Sequence, residues 1–395
     1  MKRLLVVLIL LVIFSGLVFS ADFGLLIDQK IEVQNNLFTY SPAFAPWFSW
    51  NGGQGLSVYV SGLLSLQYAK YKDNAGVSGW DPGLVPEVSR FSLSYRAGQN
   101  FSLEAGRVIY ADALGITASG LFDGIRMETA LPLGSLSAGL FYTGLLYKET
   151  AKIVMTLSDE ADFAEKWAWD NFGAYPASKR VLAALRWDIP VGNFNNLSLE
   201  ALAQFDLNGN DDALHSQYGE ILFEMYPKNK LGIIFGVSFE AMENKDTDFT
   251  AALGALAGLK TGMPGSLNDG LNLTIKFSSG PWNDTFGVFT PINSYAQGAV
   301  FQSNFSGLGS VRADYEVRII PSLFAGLAAS YFVRTYHVPG EGYLYGGEIW
   351  ASLAWQPFDD LRLNLGGGVF FPSLGNISSG DDAMWKISAG VSLSL

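Results

Sequence analysis

The chain has 395 residues, a formal net charge of −12, 49% hydrophobic and 16% charged residues, and no cysteine. The acidic balance argues against a nucleic-acid surface, and an exported chain without cysteine has neither a disulfide framework nor a thiolate metal site. A mean hydropathy of +0.20, with no long apolar run after residue 20, points to membrane strands rather than membrane helices.

At the amino end Lys2 and Arg3 precede an apolar run over 4–14 and a small-residue exit at Ser20 or Ala21. This reads as a signal peptide over 1–20 and predicts export. Residues 21–54, which contain Pro42-Ala43-Phe44-Ala45-Pro46-Trp47, read as a periplasmic lead-in, with a small plug as the alternative. From Leu56 to Leu395 one pattern recurs, a short alternating segment followed by a turn rich in Gly, Pro, Asn and Asp. In Val311-Arg312-Ala313-Asp314-Tyr315-Glu316-Val317-Arg318-Ile319 every other residue is apolar and the alternate ones are charged. Such a strand divides two unlike solvents.

The strands predicted in this way are 55–69, 87–97, 101–110, 121–130, 136–147, 179–188, 197–207, 216–226, 231–243, 247–259, 270–278, 309–319, 322–336, 346–356, 361–371 and 383–395. The fold class is all-β: a transmembrane antiparallel up-and-down β-barrel over 55–395 with about sixteen strands. Eighteen is the alternative, with 24–33 and 294–305 as the extra pair. Connectors largely alternate between short turns and long loops, as the two ends of a membrane barrel require, with 261–269 long for its side. Trp187, Trp355 and Phe358 fall near the short turns, and Tyr68, Tyr71, Tyr142 and Tyr147 near the long loops, where amphipathic rings favour an interface.

If the apolar rows meet lipid, the other rows line a lumen. Pore-lining candidates are Glu104, Arg126, Glu128, Arg186, Glu200, Glu220, Glu224, Lys276, Arg312, Asp314, Glu316 and Arg318, with Gln204, Glu240, Arg334, Arg362 and Lys386 in the same rows. So many charges require water or partners, and a barrel of this size is wide enough for an aqueous channel. Ion-pair ladders that merely solvate the wall are the plainer reading. The longest loop, 148–178, carries Asp159, Glu160, Asp162 and Glu165, with Ser158 as a helix cap and Gly173 as its stop.

The loop's order and length resemble sixteen-stranded general porins, in which the loop after strand five folds inward. That resemblance implies a constriction loop, its carboxylates facing Arg126, Arg186, Arg312 and Arg318; an acidic external loop is the alternative. Phe101-Ser102-Leu103-Glu104-Ala105-Gly106-Arg107, followed by Ser119-Gly120-Leu121-Phe122-Asp123-Gly124-Ile125, resembles the strand-loop-strand pattern of substrate-type porins and alginate-export-like barrels. Val108 stands where the pattern has glutamine, and Arg107 is out of register with the lumen row, which implies a bulge or a rim position. Leu395 departs from the terminal aromatic of typical proteobacterial porins and suits a spirochaete-like barrel better.

His215 and His337 stand in predicted loops without a metalloprotease or nucleophile motif, so no catalytic residue, enzyme activity, cofactor or metal is expected. Asp206-Leu207-Asn208-Gly209-Asn210-Asp211-Asp212 lacks the closing glutamate of a calcium loop and reads as an Asx-rich turn. The expected function is passive diffusion of small hydrophilic solutes through a water-filled channel in the outer membrane. The expected partners are outer-membrane lipid, the barrel-assembly machinery and the solutes themselves, with a homotrimer left open. The alternative is a structural or adhesin barrel with an occluded lumen.

Overall fold

The computed structural model describes residues 20–72, 78–165, 167–208, 213–228, 231–244, 247–263, 268–282, 286–377 and 382–395. Most of the predicted signal peptide, residues 1–19, lies outside them, as do residues 209–212 of the Asx-rich segment. Eighteen antiparallel strands form one closed sheet. The first nine are β1 (Ser20–Gln34), β2 (Leu37–Gly53), β3 (Leu56–Lys72), β4 (Ser78–Ala97), β5 (Phe101–Ala111), β6 (Ser119–Leu131), β7 (Gly134–Tyr142), β8 (Arg180–Val191) and β9 (Asn195–Asp206). The second nine are β10 (Leu214–Lys228), β11 (Leu231–Asn244), β12 (Thr247–Gly262), β13 (Asn268–Ser278), β14 (Leu308–Ile320), β15 (Leu323–Arg334), β16 (Leu344–Phe358), β17 (Leu361–Phe371) and β18 (Met384–Ser394). Each strand pairs with its sequence neighbours, and β1 closes the ring on β18 from Leu26–Ser394 to Gln34–Lys386.

The sixteen expected strands are therefore eighteen. The lead-in predicted over 21–54 is instead β1 and β2, two full members of the wall. β2 carries Pro42 and Pro46, and proline cannot donate to a ladder. They are tolerated because the β2–β3 ladder is interrupted beside each: Tyr40–Tyr68 is followed by Ala43–Ser65, and Phe44–Leu64 by Trp47–Ser61. Of the two candidate extra segments, 24–33 is strand and 294–305 belongs to the connector between β13 and β14.

The longest connectors share one end, which also holds the two-residue connector 35–36. Turns after β2, β4, β6, β8, β10, β12, β14 and β16 share one end with Ser20 and Leu395, and the long connectors 143–179 and 279–307 lie at the other. Side chains alternate as the pleat requires. Ile109, Leu140, Phe235, Leu327 and Ile387 point outward and are each more than half exposed, whereas Phe122 and Phe141 point inward and are sealed. A continuous apolar exterior of this kind is a lipid-facing surface. Trp355 and Phe358 are exposed at the turn end, but Tyr147, expected in the opposite aromatic belt, is buried against Tyr175.

Because two strands precede the predicted first one, loop 143–179 follows the seventh strand, not the fifth. It holds α1 (Lys148–Ala151) and α2 (Leu157–Ala164). The cap of α2 is Thr156 rather than Ser158: its hydroxyl accepts from the Asp159 N–H while the Asp159 carboxylate accepts from the Thr156 N–H. The helix ends at Ala164, well before Gly173, which sits in the short turn Phe172–Ala174.

Candidate functional site: the lumen and its inward loops

All twelve predicted lining residues fall on inward rows of their strands, but they meet two different surroundings. Several pair with the residue two positions along the same strand. Arg186 Nε lies 2.9 Å from Asp188, Arg312 Nη2 2.7 Å from Asp314, and Arg126 Nη2 3.8 Å from Glu128. Residues i and i+2 share one face of a strand, so a short acid and a long base meet there without bending the backbone. Glu104 meets Arg90 at 3.6 Å, and Lys386 meets Glu32 at 2.9 Å. Glu224 accepts from the Tyr226 hydroxyl at 3.3 Å.

Towards the turn end, Glu316 and Arg318 border a cavity of about 910 Å³ with Lys260, Asn272, Gln356 and Arg362. Arg318 donates to the Pro321 carbonyl at 2.9 Å and stacks over Phe324 at 5.5 Å. Polar groups of both signs on a wide concave wall are what a hydrated solute path requires.

Glu200 and Glu220 depart from the prediction. They point inward but are 4% and 2% exposed, because the loop after β5 folds across them. Glu200 accepts from the Tyr110 hydroxyl and from the Ala113 N–H. Glu220 accepts from the hydroxyls of Thr117 and Ser238. The loop's own turn is organised by Asp112, whose carboxylate accepts from the N–H groups of Leu114, Ile116, Thr117 and Ala118. Leu114 and Ile116 then reach the opposite wall at glycines. A Cβ on Gly236 would stand 2.7 Å from Leu114, and one on Gly254 3.2 Å from Ile116.

The connector 279–307 enters from the other side. Thr290 N–H donates to Glu240 at 2.7 Å, and Glu348 accepts from three successive N–H groups, Ala299, Val300 and Phe301, at 2.8–2.9 Å. The Phe301 ring sits among Phe332, Phe370 and Tyr345, with centroids 4.7–5.3 Å away. Lys276 donates to Gln297 of the same connector at 3.3 Å. Three inward segments meet at Ile292 and Asn293. Ile292 N–H donates to Thr117 O at 2.7 Å, Val154 N–H to Ile292 O at 3.0 Å, and the Asn293 side chain to Ala151 O at 2.9 Å.

The predicted constriction residues are arranged differently from the expectation. Asp159 is buried and ion-paired with Arg180, which also pairs with Asp206, so it anchors α2 to β8 and β9. Glu160, Asp162 and Glu165 are exposed, while the stem of the loop, through Leu146, Ala151 and Ile153, joins the buried cluster. Lys148 donates to Phe163 O and Glu165 O, and burial pulls its ammonium below the ordinary range despite nearby Glu149, Glu165 and Asp162. Asp206 is further occupied by the N–H groups of Asn208 and Leu214, and His215 accepts from Asp206 N–H. His337 Nδ1 lies 3.0 Å from the Tyr343 hydroxyl, and the two rings are neighbours.

Sequence reasoning missed Tyr110, Asp112, Thr117, Phe301 and Glu348. A signal for them existed. The inward rows turn apolar on the loop side, at Val108, Tyr110, Phe122, Phe141, Leu182, Leu202, Tyr218 and Leu222, and strands apolar on both faces need a dry filling. The strand-loop-strand pattern also acquires a physical meaning, since Arg107 Nε and Nη2 hold both Asp123 oxygens at 2.9 and 3.0 Å. Gly106 has φ +126 just before Arg107, but β5 keeps its register with β4 and β6 through both residues, so the bulge expected there is not present among the described residues.

No family model matches the chain, and no curated protein matches it by sequence. Solved structures do match over nearly its whole length. OpdK, an outer membrane protein of Pseudomonas aeruginosa, is 14% identical with a TM-score of 0.62, covering 95% of this chain and 98% of its own. OccK5 (OpdH) of the same organism is 11% identical at 0.61, with the same coverage. OprD of that organism is 12% identical at 0.55, covering 95% of each chain. This chain has the fold of the porin-type barrels of bacterial outer membranes.

Proposed function

We propose that the protein is an outer-membrane channel that passes small hydrophilic solutes, with no chemical step. The turn end faces the periplasm, and the lumen is narrowed by 112–118, the stem of 143–179, and 286–307. One observation carries this reading: a closed wall with an apolar exterior and inward charged rows opens at its turn end into a charged cavity of about 910 Å³. Insertion by the barrel-assembly machinery belongs to the same reading. Whether the barrel works alone or as a trimer is measured by its mass in detergent.

Purified, folded protein in a planar bilayer should give discrete conductance steps, and a flat trace under all voltages would end the proposal. Vanillate, present in one OpdK structure, is a first solute to test as a blocker. The second reading, a structural or adhesin barrel with an occluded lumen, is favoured by the buried cluster that links Phe122, Phe141, Phe289, Ile292 and Phe305 across the loop side. It predicts the flat trace.

A further inference from the structure

The wall is not uniformly laddered. β4 and β5 pair from Ala97–Phe101 to Phe91–Arg107, where their ladder stops among the described residues. The other edge of β4 stays paired with β3 as far as Ser78, and β5 stays paired with β6 as far as Ala111. Residues 87–90 and 108–111 thus face each other across a seam without ladder pairing. In hydrocarbon such edges must be satisfied by something.

Here side chains do it. Arg107, 7% exposed, reaches from β5 to the Val88 carbonyl of β4, lies 3.6 Å from Glu87, and donates to Leu145 O at 2.9 Å. The Tyr175 hydroxyl donates to Pro86 O at 2.9 Å, and the Thr150 hydroxyl to Glu87 at 3.0 Å. Burial lifts the Tyr175 hydroxyl to about 12, so it remains a donor. Gly106 permits the close approach where the ladder ends: a Cβ there would lie 2.2 Å from Phe91 O.

Beside the seam is a cavity of about 390 Å³, lined by Pro46, Leu63, Leu64, Pro86, Val88 and Tyr175, with Glu87 beside them. Leu64 and Val88 belong to the exposed outer face, so the cavity lies along β2, β3 and β4 on the lipid side, with the buried Glu87 and the ring of Tyr175 at its edge. On the lumen side the nearest rows are apolar, with Val85, Val108 and Tyr110 buried. Two carboxylates, Glu87 and Asp123, face the single guanidinium, which disfavours an anion. Opening this seam requires rearranging side chains and the stem of loop 143–179, not breaking a strand ladder.

We propose that the β4–β5 seam is a side passage between lumen and lipid for an uncharged, largely apolar solute, with Arg107 as its latch. The passage goes beyond axial diffusion and rests on the membrane-channel reading. The chain has no cysteine, so Val88→Cys and Ile109→Cys, both on the exposed outer face, place a unique thiol on either side of the seam. The pair is bridged in detergent with a flexible bis-maleimide, confirmed by mass, and reconstituted into vesicles with a lipopolysaccharide outer leaflet. The bridge should slow entry of the uncharged dye N-phenyl-1-naphthylamine several-fold and leave potassium chloride conductance unchanged. Unchanged dye entry overturns the side passage, and so does a loss of dye entry and conductance by the same factor, because the dye then travels axially. A flat conductance trace from the unbridged protein defeats the channel reading instead, whatever the dye does.

Discussion

The two halves of the lumen use the same residue types to opposite ends. Towards the turns, inward acids and bases are met by a neighbour two residues away on the same strand, as in Arg186–Asp188 and Arg126–Glu128, or border an open cavity, as Glu316 and Arg318 do. Near the loops, Glu200, Glu220, Glu240 and Glu348 are buried and accept hydrogen bonds, mostly from the backbone of segments that fold inward. On the rows of Glu200 and Glu220 the neighbours Leu202, Tyr218 and Leu222 are apolar and buried, and there the carboxylate is a docking point for a loop. A buried loop backbone has to be paid in hydrogen bonds, and a charged acceptor gives stronger ones than a neutral group.

This contrast can be broken most directly at Arg180, which is fully buried between Asp159 and Asp206. Arg180→Met leaves two buried carboxylates without their cation and should cost about 3–5 kcal/mol, read as a lower unfolding midpoint in detergent. Glu348→Gln keeps the shape but weakens the grip on three N–H groups of the 286–307 connector. It should cost about 1.5–3 kcal/mol in the same measurement, with larger and noisier conductance steps as that connector loosens. If stability falls and the conductance stays the same, the connector does not narrow the path.

In the polar surroundings the expectation reverses. Arg186→Ala breaks a pair whose members are each about a quarter exposed, and the loss should be within about 1 kcal/mol. A loss as large as that of Arg180→Met would erase the distinction between the halves. Smallest in energy, Arg318→Gln combined with Arg362→Gln should change stability by no more than about 0.5 kcal/mol. The variant should shift the reversal potential in a salt gradient towards cation preference. An unmoved potential would place the turn-end cavity off the ion path.

Much of the wall was legible in advance because a strand's side chains alternate whatever surrounds them. Ile275 and Lys276, or Val311 and Arg312, declare two faces from two neighbouring letters. The strands that escaped were those with a local reason to look otherwise. β2 carries Pro42 and Pro46, and its place was settled by the partners on either side of it, with the ladder to β3 interrupted beside each proline. Missing β1 and β2 together shifted the strand count by two, which moved the resemblance to an inward loop from the short segment 112–118 to the long acidic one.

The sequence by itself determined an all-β chain whose strands carry an apolar and a polar row and are joined by short turns at one end, since these follow from the period of the pleat and the chemistry of single residues. Only the tertiary structure decided that the ring closes through β1, that Glu200 and Glu220 are covered, that Asp159 anchors instead of constricting, and that β4 parts from β5. Those outcomes depend on which distant segments meet, and residues 112–118, 143–154 and 286–301 carry no local mark of the partners they find across the lumen.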